Sequence, residues 1–165
     1  MMNKRLKQGS TFLLAVALTF PLLTLPGAKA ANAINTGQKC SIEFDISGNS
    51  SELLSASIPV NLYKVASVDE SGNYTGIGAF SKLDLSSVSA DNLDAAAATW
   101  AERAKEAQGK LTDSEGNTVV DPTETVTLQN GRGYQDKLDT GLYLVDTPKV
   151  ITTNYTYKYL SLIHI

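Results

Sequence analysis

Polar and apolar residues alternate most cleanly over Cys40–Ser47. Ile42, Phe44 and Ile46 fall on one side, and Glu43, Asp45 and Ser47 on the other. Successive side chains of a strand point to opposite faces, so this period of two predicts a half-buried strand of an antiparallel sheet. Gly48-Asn49-Ser50-Ser51 has the composition of a turn. A second strand is predicted over about Ile58–Val68, with Val60 and Leu62 on one face and Tyr63 and Val65 on the other. Asp69-Glu70-Ser71-Gly72-Asn73 is a hairpin signal. Tyr74–Phe80 should be the return strand, weakened by Gly76 and Gly78.

The period then changes. Leu93, Ala97, Trp100, Ala104 and Ala107 recur at helical spacing and predict a helix over about 91–108. Asp91 suits its N-cap, Asp94 the positive end of its dipole, and Gly109 its C-cap. One leucine and one tryptophan among alanines form a thin apolar stripe, so the helix is expected to dock on a sheet. Asp113-Ser114-Glu115-Gly116-Asn117 repeats the turn composition of residues 69–73. Thr118–Asp121 and Thr123–Leu128 predict short strands on either side of Pro122, and Asn130-Gly131-Arg132-Gly133 predicts another turn.

Leu138–Val145 is the most compact apolar stretch outside the N-terminus. Gly141 suits a tight entry turn, and Leu142-Tyr143-Leu144-Val145 predicts a strand buried on at least one face. A loop at Asp146-Thr147-Pro148 leads to a β-prone stretch, Val150–Tyr159, with aromatics at Tyr155, Tyr157 and Tyr159. Strands at short intervals between Gly and Asp turns imply a mainly β fold, an antiparallel sandwich with one helical insertion.

The N-terminus has a separate logic. Lys4, Arg5 and Lys7 precede an apolar stretch, Thr11–Leu25, which Pro26 and Gly27 break. Ala28-Lys29-Ala30 supplies a small-x-small cleavage pattern, and Ala31-Asn32-Ala33 offers a second frame. Residues 1–30 are therefore expected to be a signal-peptide helix cut between Ala30 and Ala31, with no membrane association afterwards. The apolar run falls short of the ~20 residues that a membrane span needs.

Charge then changes meaning. The chain has 14 basic and 17 acidic residues, and residues 1–30 hold four of the bases and none of the acids. The remainder carries ten bases against seventeen acids, so −7. Such a surface argues against nucleic acid and anionic membranes as partners. Hydrophobic content of 42% is enough for a packed core.

Cys40 is the single cysteine, so an exported form has no internal disulfide framework. Thr36-Gly37-Gln38-Lys39 before it lacks the pattern for lipid attachment, and a small thiol at a strand start is expected. With one His and one Cys there is no transition-metal set. The Asp69 and Asp113 clusters lack calcium-loop spacing and read as turns. No phosphate loop and no Ser-His-Asp set is present, so no catalytic residue, metal site or cofactor is expected, and the chain is read as non-enzymatic.

Pro59-Val60-Asn61-Leu62-Tyr63-Lys64-Val65-Ala66, followed by a Gly-Asn-Tyr hairpin, resembles the early strand pair of Gram-positive pilin subunits and cell-wall adhesins. Leu138–Val145 is similar to their Leu-x-x-Gly-Leu-Tyr-Leu-Val strand, and the helix before Asp113 to an insertion common among them. The resemblance covers about residues 40–159. It implies an immunoglobulin-like sandwich of the collagen-adhesin B, prealbumin-like type over residues 31–159. It also implies export, sortase-mediated attachment to peptidoglycan or a pilus, and adhesion. The partners implied are other pilin or surface-protein subunits, or a host or matrix protein or glycan. The localisation implied is secreted, at the cell wall.

Three family features are missing: a C-terminal sorting signal, a lysine-bearing pilin motif and a full Lys, Asn and Glu set for an internal isopeptide bond. That bond needs a buried neutral lysine, an amide or carboxyl carbonyl and a protonated acid. Lys64 shares the parity of Val60 and Leu62 and is the candidate, although the family's lysine usually lies on the first strand. The competing expectation is a snorkelling strand-end lysine. Leu160-Ser161-Leu162-Ile163-His164-Ile165 resembles a transposase-adapter sequence read in frame, so residues 160–165 are expected to be non-native and the domain incomplete as given. Two other functions remain open at this point: a non-covalent glycan- or protein-binding module, and an accessory domain of a longer secreted enzyme.

Overall fold

The alternation at Ile42, Phe44 and Ile46 becomes a strand whose inward residues are buried, as the period of two requires. The protein was analysed as a computed structural model, which describes residues 15–17, 33–46, 51–88, 97–154 and 156–165. Its elements run β1 (Ala15–Ala17), β2 (Lys39–Asp45), α1 (Ser51–Leu54), β3 (Ile58–Val68) and β4 (Tyr74–Gly76). A 3-10 turn (Gly78–Phe80), α2 (Ala97–Gln108), β5 (Glu124–Leu128) and β6 (Arg132–Asp139) follow. The chain ends with β7 (Leu142–Asp146), β8 (Val150–Ile151), β9 (Thr156–Tyr157) and β10 (Leu160–His164).

All strand pairs are antiparallel. One sheet has the order β1-β2-β6. The other has the order β10-β7-β3-β4, with β5 beside the first half of β3. Strands β8 and β9 form a small separate hairpin. The fold is thus mainly β, with two sheets sharing one apolar layer.

Two hydrophobic clusters explain why β3 and β7 are apolar on both faces. Val60 and Leu62 of β3, with Tyr143 and Val145 of β7, meet Ile42 and Phe44 of β2 in the layer between the sheets. Tyr63 and Val65, with Leu142 and Leu144, face a second cluster that includes Phe80, Ala104, Ala107 and Leu162. The described part of the helix therefore docks on a sheet, as its thin stripe predicts. Ala104 and Ala107 are small enough to bring α2 close to the strands, and Trp100 packs at the margin. Arg103 pairs with Glu106 of the same helix at 2.7 Å and reaches Asp84, outside the helix, at 3.7 Å. The proposed helix start at Asp91 and Asp94 lies outside the described residues, as do the cleavage positions Ala30 and Ala31, the turn at residues 48–50 and Tyr155.

Several expectations need correction. Residues 15–17 form a strand on β2 instead of a helix. Their backbone groups find partners along the edge of β2, which has β6 only on its other side. Ser51, expected in a turn, starts α1. The return strand after residue 73 stops at Gly76, because the chain doubles back so tightly that a Cβ there would lie 2.3 Å from the Phe80 carbonyl oxygen. Thr118 makes only an isolated bridge to Thr112, and no strand forms over 118–121. Strand β6 was not expected: Arg-Gly-Tyr-Gln-Asp-Lys-Leu-Asp is polar because only Leu138 is buried, and Lys137 adopts φ +59° beside a bulge. The β-prone stretch after Pro148 divides into β8 and β9.

Leu138–Val145 is consequently two strand ends and a corner. Leu138 closes β6 in one sheet, and Leu142 opens β7 in the other. Gly141 makes the corner with φ +153°, and a Cβ there would lie 2.5 Å from the Ala66 carbonyl oxygen. The Thr140 hydroxyl donates to the Thr36 carbonyl at 2.9 Å, which fastens the leader to the corner. Residues 160–165 pair with β7 and the corner: Leu162 opposes Leu144, and Gly141 and Ile165 exchange both backbone hydrogen bonds.

Candidate functional site

The Lys64 region lies at that corner. Lys64 stands on β3 opposite Tyr143, and its ammonium is 3.6 Å from Asp139 Oδ2. Lys39 of β2 binds the other oxygen of the same carboxylate. The hydrogen bond from Lys39, and then the charge of Lys64, hold the Asp139 carboxyl below the usual carboxylate range. The Asp139 side chain is 58% exposed. Amide formation needs a neutral amine and a carboxyl made electrophilic by a proton, whereas these contacts favour a solvated anion between two ammonium groups. The geometry is that of an ion pair, and the aliphatic stem of Lys64 lies against the position a Gly141 Cβ would take. Intact-mass measurement of the mature domain is expected to return the mass of its sequence, with no loss of water or ammonia. A loss of either would mean that Lys64 or another lysine has been acylated.

Tyr143 and Cys40 are close neighbours of this corner. The Tyr143 hydroxyl donates to the Asp139 carbonyl at 3.0 Å. Burial, followed by the charge of Asp139, pushes the phenol up to about 12. Burial also raises the Cys40 thiol, which therefore stays protonated and is a weak nucleophile.

The two acidic loops are twins. Asp69 Oδ1 accepts from the Ser71 and Asn73 amides at 2.9 Å, and Oδ2 from the Asn73 side chain at 3.0 Å. Asp113 repeats this with Glu115 and Asn117 at the same three distances. Gly72 and Gly116 have φ +86° and +85°. The asparagine side chains, then backbone amides, lower both carboxyls. Their oxygens are committed to closing turns, as the composition predicts. Among the described residues no cluster of three His, Cys, Asp or Glu could hold a metal ion.

Asp146 behaves oppositely. It ends β7, accepts from Gln108 Nε2 of α2 at 2.7 Å, and lies 3.8 Å from Lys158. Burial raises its carboxyl, and Lys158 and Gln108 only partly offset this. A raised folded value means that the ionised form opposes folding. The penalty is absent when both states are protonated and fully present above the folded value. Asp146→Asn keeps an acceptor for Gln108 and removes the charge. It is expected to raise the urea midpoint at neutral pH, and the gain should vanish in acid. A lower midpoint at neutral pH would show that the Lys158 pair outweighs the burial.

The remaining feature is an apolar pocket between the sheets. Phe44 and Ile46, Ile58 and Val60, and Leu128 form its walls, and it is a small cavity of about 50 Å3, partly open to solvent. Leu53 of α1 and Val150 and Tyr157 of the β8–β9 hairpin border it. Those two elements are joined: Glu52 accepts from Thr152 Oγ1 at 3.0 Å and from Asn154 Nδ2 at 3.3 Å. No sequence pattern signals this site, because each residue reads individually as core and the lining comes from five separate elements, β2, α1, β3, β5 and the β8–β9 hairpin. No protein-family model, curated protein or solved structure matches this chain.

Proposed function

We propose that this chain is a secreted bacterial cell-surface module, pilin-like and adhesive, from a sortase-anchored surface protein. In this proposal its two sheets are an immunoglobulin-like, prealbumin-like sandwich, and its role is structural and not catalytic. The observation that carries the reading is a pairing. Pro59–Ala66 and the Leu142–Val145 half of Leu138–Val145, both from stretches that resemble pilin strands, meet as neighbours, with Leu62 opposite Val145 and Tyr63 opposite Leu144. Two short motifs some eighty residues apart in the sequence thus supply adjacent strands of one sheet. The partners proposed are other surface-protein subunits and a host protein or glycan.

The test is export of the native gene product from a Gram-positive host, with the N-terminus read by mass spectrometry. The expected N-terminus is Ala31 and the expected location the cell-wall fraction. An unprocessed chain retained in the cytoplasm would overturn the proposal. The alternative of a non-covalent binding module is favoured by one feature, the apolar pocket.

A further inference from the structure

We infer that the processed chain pairs with a second copy of itself along the open edge of β2, in a two-fold antiparallel arrangement centred on Ile42. The inference rests on the export reading, in which residues 1–30 are removed. Among the described residues, Ala15–Ala17 is the only strand beside β2 on the side away from β6, and it covers Glu43–Asp45 alone. Cleavage after Ala30 takes that strand away and leaves the 7 residues of Lys39–Asp45 without a neighbouring strand on that side. An uncovered edge invites strand addition unless a proline, an inward charge or a bulge blocks it. Strand β2 contains no proline, and its inward side chains are Cys40, Ile42 and Phe44. Its one irregularity, between Cys40 and Ile42, lies in the pairing with β6.

The sequence of the strand selects a second copy as the occupant. Opposed residues of an antiparallel pair share a face of the sheet, so self-pairing keeps Ile42 and Phe44 inward only where each residue meets one of its own parity. Of those registers, the one centred on Ile42 pairs the whole strand. It sets Lys39 opposite Asp45, Ser41 opposite Glu43 and Cys40 opposite Phe44, each of these twice, with Ile42 against Ile42. Opposite charges then meet across the pair and like charges do not. A register centred on Glu43 would instead set two carboxylates face to face. Within each copy Lys39 already holds Asp139, and Asp45 lies 3.4 Å from Arg132. The new contact therefore extends an alternating row, Asp139, Lys39, then Asp45 and Arg132 of the second copy. The interface is isologous, so one two-fold axis covers both open edges at once and leaves none to recruit a third chain there.

Disulfide trapping reads this register directly. In a Cys40→Ser background, one chain starting at Ala31 would carry Ser41→Cys and another Glu43→Cys. These two positions oppose each other across the two-fold pair, whereas each is offset along the strand from its own counterpart. Mild oxidation of the mixture is expected to give about ten-fold more disulfide dimer than either chain alone, because only opposed Cβ atoms come within bonding reach. Sedimentation equilibrium should give the dimer mass for the chain from Ala31 and the monomer mass for the full chain, whose β1 holds the edge. The full chain with Ala15→Pro and Val16→Pro is the second form, should the shorter chain fail to fold. Neighbouring strand residues aim their N–H groups to opposite sides, so one of the two prolines removes a donor facing β2, and this form should also dimerise. A monomer mass for a folded form with β1 removed or displaced would overturn the inference, as would equal trapping in the mixture and in the separate chains. If a peptide of residues 11–25 were captured on β2 while the copies did not pair, the edge would belong to the leader and the inference would fail. Failure of the export reading shows separately, as an unprocessed native product, whatever the chain from Ala31 does.

Discussion

Leu144→Ala is expected to lower the stability of the fold by about 2–5 kcal/mol. Leu144 is fully buried, opposite Tyr63 on one side and Leu162 on the other. It lies in the cluster that holds Ala104 and Ala107 of α2 against the sheet. Truncation removes apolar contacts and leaves a void that neither the strands nor a helix already in close contact can fill. Denaturant melts would show a lower midpoint, and α2 amides should lose hydrogen-exchange protection first. Val119→Ala is the control: Val119 is 57% exposed, and its truncation should change stability by less than about 0.5 kcal/mol. Equal midpoints for wild type and Leu144→Ala would mean that β7 is not the core strand described above.

Gly141→Ala adds one methyl group and is expected to cost about 3 kcal/mol or more. The new Cβ would lie 2.5 Å from the Ala66 carbonyl oxygen and 3.0 Å from Lys64 Cε. The lysine stem can swing aside, but the carbonyl belongs to the backbone of β3 and cannot. Relief requires β7 to move away from β3, which disrupts their pairing at the Leu142–Ala66 end. The backbone at φ +153° adds strain for any residue with a side chain. The variant should melt at lower denaturant concentration and lose amide protection in both strands. An alanine variant within about 0.5 kcal/mol of wild type would refute this account of the corner.

Much of the architecture was legible because period and burial agree. Ile42, Phe44 and Ile46 alternate and are buried, and Ile58–Val68 begins and ends where its pattern does. Ala104 and Ala107 forecast a helix that docks without supplying bulk. What escaped detection had no periodic signature. Strand β6 keeps one buried side chain and reads as a polar loop. The strand character of residues 15–17 depends on an edge that only tertiary structure creates. Tyr74–Phe80 looks like a strand until the doubling back at Gly76 is seen. At the candidate sites, Lys64 was visible by parity, but its carboxylate neighbour, Asp139, lies on another strand. The pocket was invisible because Phe44, Leu53, Val60, Leu128 and Tyr157 meet only when five elements assemble.

The pairing of β2 with β6 bears on how the chain acquires its structure. Lys39 and Asp139 are partners across this pair and are 100 residues apart. Strand β2 therefore has no native neighbour on that side until β6 has left the ribosome. Meanwhile Ile42 and Phe44 are exposed, and the twin Asp loops, each closed within five residues, can form early. Pairing over such separations requires a long loop to close before any contact repays it, which places folding in the slow range of about milliseconds to seconds. The interval in which β2 waits, more than any weakness of the finished sheets, is when this protein is most open to aggregation or to chaperone capture.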